Sequence, residues 1–259
     1  MLRGVKDLTG YVIKATDDEI GMVQDFYFDD EIWTIRYLVV DTGWWLPGRS
    51  VLIAPEALDR PDWDSRRFSV RLTRREVEQS PGVETDKPVS RQKESELRTY
   101  YPWPLYWTGQ TGFMPAAAGT QVEAVAALQA GALAEDGQRP SPAETTDDPH
   151  LRSANEVIGY DIQAREGEIG HVEDFIVDDD TWVIRYMVVD SGNWLPGKNV
   201  LIAPQWIHAV NWAERTVRVD LARQTIADAP EYNPAVPISP EYELQLLSYY
   251  AKAAGSKRP

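Results

Sequence analysis

Few residues in this chain could carry acid–base or nucleophilic chemistry. The 259 residues include no cysteine, which excludes a disulfide, a thiolate nucleophile and a cysteine-ligated metal centre. The three histidines are His150, His171 and His208, and no Ser-His-Asp spacing accompanies them. The sequence therefore predicts no catalytic residue, and we expect a protein that is not an enzyme.

Two acidic tripeptides remain as a source of ligands for a hard cation. They are Asp29-Asp30-Glu31 and Asp178-Asp179-Asp180, and carboxylate oxygens are the ligands that Ca²⁺ and Mg²⁺ take. No EF-hand-like spacing surrounds them, and aspartate favours turns because its carboxylate bonds to nearby backbone N–H groups. We interpret both tripeptides as hairpin turns and expect neither a metal nor a cofactor.

Charged residues interrupt apolar stretches at matching places in the two halves of the chain. The two sets are Asp25, Arg36 and Asp41, and Asp174, Arg185 and Asp190. An arginine among apolar neighbours is expected to pair with a carboxylate, because an unpaired buried charge is costly. The sequence predicts structural ion pairs in both sets and leaves Asp25 and Asp41 as alternative partners of Arg36.

The matching places belong to an internal repeat. Residues 10–101 recur without a gap at residues 159–250, and about four positions in ten are identical. Between the copies, residues 108–150 are rich in alanine, glycine, proline and acidic residues, which is typical of a linker. We divide the chain into a first segment (1–107), a linker (108–150) and a second segment (151–259).

Each segment has the periodicity of β-strands. Apolar side chains alternate from Trp33 to Val40, and turn residues such as Asp17-Asp18 and Pro47-Gly48 separate this run from other short apolar runs. A helix is predicted at the end of each segment, because Ser239-Pro240 supplies an N-cap and a first-turn proline before an apolar run. The pattern predicts a mainly β fold with two small antiparallel barrels, each closed by a short C-terminal helix.

Aromatic residues occupy two connections that would normally be polar. Trp44 lies in the turn after the run ending at Asp41 and is replaced by Asn193 in the second segment, so we expect it to be an exposed contact residue. Its neighbour Trp45 either caps the end of the fold or contacts a partner. A second cluster contains Trp103, Tyr106 and Trp107, which contact a partner or pack back on the fold.

Four stretches carry a resemblance to a known family. They are Gly10-Tyr11, Glu19-Ile-Gly-Met-Val-Gln-Asp-Phe26, Trp33-Thr-Ile-Arg-Tyr-Leu-Val-Val-Asp41 and Val51-Leu-Ile-Ala-Pro55, with their twins in the second segment. This pattern resembles the PRC-barrel domain, named for the cytoplasmic domain of the photosynthetic reaction-centre H subunit, and resembles bacterial proteins with two such domains. The resemblance implies the fold, whereas function does not transfer with a fold.

Charge and hydropathy limit the partners of the chain. A net charge of −15 opposes binding to nucleic acid, so we expect no nucleic-acid partner. The N-terminus lacks the apolar region of a signal peptide, and no stretch approaches the roughly 18 apolar residues of a membrane-spanning helix. The sequence therefore predicts a cytoplasmic protein without a membrane span.

These observations favour a cytoplasmic adapter or assembly module that binds protein partners through aromatic residues and the closing helices. The alternative is a ligand-binding or electron-transfer accessory module, which the reaction-centre resemblance implies. Because the two segments have similar surfaces, we also expect self-association, with the segments packed about a pseudo-twofold axis.

Overall fold

The computed structural model gives a mainly β chain. The residues that it describes are 1–43, 45–46, 49–81, 89, 91–104, 106, 151–192 and 197–255. The predicted linker lies outside the described residues, as do Trp44, Trp107, Trp194 and His150.

Among the described residues of the first segment, six strands and three helices are defined. The strands are β1 (Leu2–Gly4), β2 (Val12–Lys14), β3 (Glu19–Asp29), β4 (Thr34–Asp41), β5 (Ser50–Ile53) and β6 (Arg67–Ser69). The helices are α1 (Val5–Leu8), α2 (Arg74–Glu78) and α3 (Arg91–Tyr100), and a 3₁₀ turn spans Pro55–Ala57.

The second segment repeats this order and adds two strands. Its strands are β7 (Leu151–Ser153), β8 (Asp161–Ala164), β9 (Gly167–Asp178), β10 (Ile184–Asp190), β11 (Asn199–Ile202), β12 (Ile207–Asn211), β13 (Thr216–Val219) and β14 (Glu231–Tyr232). Its helices are α4 (Ala154–Val157), α5 (Arg223–Ala227) and α6 (Pro240–Gly255), and a 3₁₀ turn spans Pro204–Trp206.

The side chains of strand β4 alternate in burial at its start and are all buried further along. Ile35 is buried, whereas Thr34 and Arg36 on either side are half-buried. From Tyr37 to Val40 every side chain is buried. The strand thus enters the core along its length, as the pattern of its sequence predicts.

The strands form two mixed sheets. The first runs β5-β4-β3-β2-β6 and the second runs β12-β13-β8-β9-β10-β11-β14. Strands β2 and β6 pair in parallel, as do β8 and β13, which corrects the prediction of wholly antiparallel sheets. The long connections between these strands permit the parallel pairing. The described strands form two sheets without a closed barrel, so the two helix-closed barrels expected from the sequence stay a prediction.

Each segment lends its first strand to the sheet of the other. Strand β1 pairs antiparallel with β9, with Leu2 opposite Asp178, and β7 pairs with β3 in the equivalent register. We call residues 2–8 and 151–157 the two arms, because each consists of a strand followed by one short helix. The contacts recur in both directions, as a pseudo-twofold arrangement requires.

The hairpins beside the arms also meet across the pseudo-twofold axis. The backbone N–H of Ile35 donates to the carbonyl of Trp182, and that of Ile184 donates to the carbonyl of Trp33, both at 2.8 Å. The Trp182 ring stacks on Phe26 with 6.3 Å between ring centroids. One hydrophobic core therefore runs through both segments.

A helix packs at the end of each segment. Helix α6 begins at Pro240, and the Oγ of Ser239 accepts a hydrogen bond of 3.2 Å from the N–H of Tyr242. The hydroxyl of buried Tyr250 donates to the carbonyl of Leu201 at 3.0 Å, which ties the helix to β11. The predicted terminal helix is confirmed, and α3 is its counterpart.

Gly170 on β9 leaves no room for a side chain beside β10. Its φ is 133°, and an added Cβ would lie 1.9 Å from the carbonyl oxygen of Asp190. Gly170→Ala must separate the two strands, so we expect a loss of about 3 kcal/mol in the free energy of unfolding, measured by urea denaturation. The matched control is Gly167→Ala, which has a φ of 128° but no atom within 4 Å of the added Cβ. It should cost about 1 kcal/mol, and equal losses would contradict the steric argument.

Candidate functional site

The buried carboxylate of Asp25 holds the second arm. It accepts hydrogen bonds from the backbone N–H of Asn155 at 3.1 Å and of Phe26 at 2.7 Å, and from the hydroxyl of Ser153. Asn155 lies in the first turn of α4, where N–H groups have no partner within the helix. Burial raises the pKa of Asp25, and the three donors oppose that rise by stabilising the ionised form.

Asp174 holds the first arm in the equivalent way but with fewer donors. Its carboxylate accepts from the N–H of Lys6 at 3.1 Å and of Phe175 at 2.8 Å. The residue equivalent to Ser153 is Gly4, which has no hydroxyl to donate, and an added Cβ there would lie 2.7 Å from Asp174 Oδ2. Burial raises the pKa of Asp174 to about 6. The ionised form of Asp174 is therefore less stable, relative to the protonated form, than that of an ordinary aspartate.

A salt bridge between the segments reinforces each arm. Arg3 Nε lies 2.7 Å from Asp179 Oδ2, and only 6% of the Asp179 side chain is exposed. The Arg3 guanidinium also lies 3.5 Å above the centroid of the Trp63 ring. The second arm repeats both contacts with Arg152, Asp30 and Trp212. Planar stacking and the ion pair together fix the direction of each arm.

The acidic tripeptides are hairpin turns, as predicted. Asp29 accepts from the N–H groups of Glu31 and Ile32, at 3.1 and 3.3 Å. Asp178 accepts in the same way from Asp180 and Thr181, at 3.0 Å each. The middle aspartate of each turn makes the salt bridge to the opposite arm, so the tripeptides serve the contact between the segments.

The ion pairs predicted inside the strands are not formed among the described residues. Among the described residues, neither Arg36 nor Arg185 forms an ion pair with the aspartates assigned to it. Asp25 and Asp174 face the arms instead, and the Arg36 guanidinium lies 3.6 Å above the ring of Tyr106. Arg185 is half-buried on β10.

The remaining two aspartates of the predicted pairs stabilise turns. Asp41 accepts a hydrogen bond of 2.9 Å from the N–H of Gly43, and Asp190 accepts one of 2.8 Å from the N–H of Gly192. These are Asx turns, in which the carboxylate satisfies the backbone two residues further on. Aspartate therefore occupies this position in both segments because both have the same Asx turn.

Arg98 is a buried cation that the sequence analysis missed. Only 1% of it is exposed, and its Nε donates to Tyr37 Oη at 2.8 Å while Nη1 contacts Glu56 Oε1 at 3.4 Å and the carbonyl of Pro104. Glu94, also 1% exposed, lies one helical turn earlier on α3. The i,i+4 spacing of these opposite charges beside apolar Leu97 was the available signal.

The second segment lacks this buried cation. Leu247 occupies the position equivalent to Arg98, whereas Glu243 retains the position of Glu94. Glu243 accepts a hydrogen bond of 3.1 Å from the hydroxyl of Tyr186, the twin of Tyr37. The burial of a guanidinium is therefore particular to the first segment among the described residues.

The aromatic residues predicted to contact a partner are packed within the chain where they are described. Trp103 is half-buried and stacks on Tyr101 with 4.3 Å between ring centroids. Tyr106 donates its hydroxyl to Glu94 at 2.7 Å. Trp45 donates its indole N–H to the carbonyl of Ile20 at 3.0 Å. These contacts fit the packing alternative, and Trp44 and Trp107 lie outside the described residues.

The outer face of the two sheets differs between the segments at equivalent positions. In the first segment, cross-strand pairing places Val12, Met22 and Asp41 side by side, and Met22 is 53% exposed. The equivalent row in the second segment is Asp161, His171 and Asp190. An open groove of about 770 Å³ runs beside this second row and is lined by Asp161, Glu168, Ile169, Gly170, His171, Ser191, Gly192 and Arg223.

Of the other two histidines, only His208 is described. It is exposed on β12, away from the row that contains His171. The structure thus brings no two of the described histidines together.

Comparison with protein families identifies one domain in the chain. The model of the PRC-barrel domain matches residues 149–224, which are well under half of the chain and include strands β7 to β13. Comparison with curated proteins gives no match. None of the helices in the described ranges has both the length and the apolar character that crossing a bilayer requires.

The raised pKa of Asp174 predicts how stability changes with pH. Because the folded-state pKa of about 6 exceeds the ordinary 3.8, the folded protein binds this proton more tightly than the unfolded chain does. This contribution is complete below about pH 4 and is lost as the pH rises through about 6. Asp174→Asn keeps an oxygen for the N–H of Lys6 without the charge, so we expect it to be about 2 kcal/mol more stable than the parent near pH 7.

The measurement is urea denaturation at several pH values between about 4 and 7. The two proteins should converge towards the acidic end, where Asp174 is protonated. Asp41→Asn, at the exposed end of β4, is the control for an aspartate-to-asparagine change away from the arms and should stay within about 0.5 kcal/mol of the parent near pH 7. Parallel curves for the parent and Asp174→Asn would contradict the assignment.

Removing the buried cation should destabilise the first segment. Arg98→Leu installs the residue that the second segment has at this position, but it removes the positive charge that faces Tyr37, Glu56 and Glu94. We expect a loss of about 3 kcal/mol, measured by chemical denaturation. Adding Glu94→Gln should recover more than half of that loss, because a neutral amide is less costly to bury. A single variant as stable as the parent would show that Arg98 contributes no net stability.

Proposed function

We propose that the chain is a cytoplasmic, non-enzymatic assembly module built from two PRC-barrel domains. The premise is the match of the PRC-barrel domain to residues 149–224. The first segment supports this proposal because it shares about four residues in ten with the second. It also repeats the order of strands and helices from β1 to α3.

The exchange of arms supports a role that depends on fixed geometry. Each arm adds a strand to the other segment's sheet, and buried Asp25 and half-buried Asp174 hold the arm helices. Hinge motion between the segments would break backbone pairs and expose the shared core. A rigid unit presents two surfaces at a constant separation, which is what an assembly module requires.

The difference between the two outer faces is the observation that carries the proposal. Folding requirements common to both segments do not explain why Met22 is exposed where the second segment has His171. Methionine adapts its shape to a partner and is favoured at protein-binding surfaces. Because Asp41 belongs to this row and the chain has a net charge of −15, the matching surface is apolar with basic residues at its rim.

The aromatic residues that were expected to contact a partner have a different role in this proposal. Trp103 and Tyr106 serve packing, and the outer face around Met22 becomes the contact surface for a protein partner. The ligand-binding alternative has less support, because the groove beside His171 is open and most of the residues that line it are polar.

A charge placed on the outer face of the first segment should abolish partner capture. Met22→Asp is expected to reduce the recovery of specific partners from the native cell by at least about tenfold, since a buried methionine contributes about 2 kcal/mol or more to a contact. Quantitative mass spectrometry after affinity purification of the full chain measures this recovery.

Val236→Asp is the matched control. Val236 is 57% exposed, close to the 53% of Met22, but it lies in the loop before α6. It should recover the same partners as the parent. Equal loss in both variants, or none in Met22→Asp, would contradict a contact surface at Met22.

A further inference from the structure

A histidine and two carboxylates converge on the outer face of the second sheet. They are His171 and Glu173 on β9 and Asp190 on β10, and one ligand atom from each lies within 4.8 Å of the other two. His171 Nε2 is 3.6 Å from Glu173 Oε2. All three side chains are half-buried, so solvent reaches them while the strands hold their backbones in place.

The strand register explains this convergence. His171 and Asp190 lie directly opposite each other in the antiparallel ladder, so their side chains share a face. The ladder shifts register between Val188 and Val189, and this irregularity lies beside Glu173. A β-bulge of this kind re-aims a side chain.

Two polar neighbours orient the carboxylates. The N–H of Gly192 donates to Asp190 Oδ1 at 2.8 Å. Lys6 Nζ, from the arm of the first segment, lies 2.5 Å from Glu173 Oε1, whereas Oε2 is the oxygen that faces His171. On the other flank of His171, its cross-strand partner Asp161 lines the same groove and adds negative charge.

We infer that His171, Glu173 and Asp190 bind a divalent transition-metal ion of the zinc class. One imidazole nitrogen and two carboxylate oxygens are a donor set that such ions accept, and hard Ca²⁺ or Mg²⁺ would not favour the imidazole. Three protein ligands leave a coordination position for water or for a group from another molecule. With Asp161 and Glu168 beside the two ligand carboxylates, four negative charges outnumber the positive charges of Lys6 and Arg223, and this net negative charge favours the cation.

The first segment provides the internal comparison. It retains only the aspartate, as Asp41, and has Met22 and Gln24 where the second has His171 and Glu173. The strand register is the same in both. The site is therefore a property of side chains on a shared backbone, and it stands apart from the proposed partner surface at Met22.

The inference is tested by titrating the full chain with Zn²⁺ in a calorimeter and with Co²⁺ by visible absorption. We expect one ion per chain in the parent. His171→Met and Glu173→Gln install the residues of the first segment, so they are compatible with the fold, and each should weaken binding by at least about tenfold. His208→Ala removes an exposed histidine elsewhere and should bind as the parent does.

A reciprocal graft tests sufficiency. Met22→His combined with Gln24→Glu recreates the three side chains around Asp41 in the first segment, and the number of bound ions should rise from one to two. The inference is overturned if the parent binds no ion, or if His171→Met binds as tightly as the parent. A folded graft that still binds one ion also overturns it, because these side chains on this register would then not make the site.

Discussion

The reciprocal pairing of the two arms is the contact on which the rest of the molecule depends. Because β1 completes the sheet of the second segment and β7 that of the first, neither sheet reaches its full width from its own segment. The carboxylates of Asp25 and Asp174 and the salt bridges of Arg3 and Arg152 each hold an arm to the other segment, and one hydrophobic core runs through both segments. Each segment is small and could bury only a limited apolar surface alone, whereas the two together bury a larger shared core.

On this common framework the segments differ in two places. Inside the first segment, Arg98 puts a positive charge into the packing of the closing helix, where the second has Leu247. On the outer face of the second segment lie His171 and Glu173, where the first has Met22 and Gln24. Buried charge tends to specify one arrangement at some expense of stability, whereas a polar outer face leaves the fold unaffected and alters only what can bind.

The sequence was sufficient for local features and insufficient for distant pairing. The Ser239-Pro240 cap, the turns at the acidic tripeptides and the alternation in β4 each depend on neighbours a few residues away, and each is found. The partner of Asp25 is Asn155, 130 residues along the chain, so no pattern within one segment could identify it. The parallel pairing of β2 with β6 escaped prediction for the same reason. The convergence at His171 needed the register of two strands, which apolar periodicity does not define.

The exchange of arms also sets an order of events during synthesis. Strand β1 leaves the ribosome well before its partner residues in β9, which end at Asp178. The first sheet in turn waits for β7, which begins at Leu151. Contacts between such distant residues form slowly, because a long loop must close before they are gained. Strand β1 is thus synthesised long before it can be paired. Until then its backbone N–H and C=O groups are open to a wrong neighbour, including the same strand of another nascent chain.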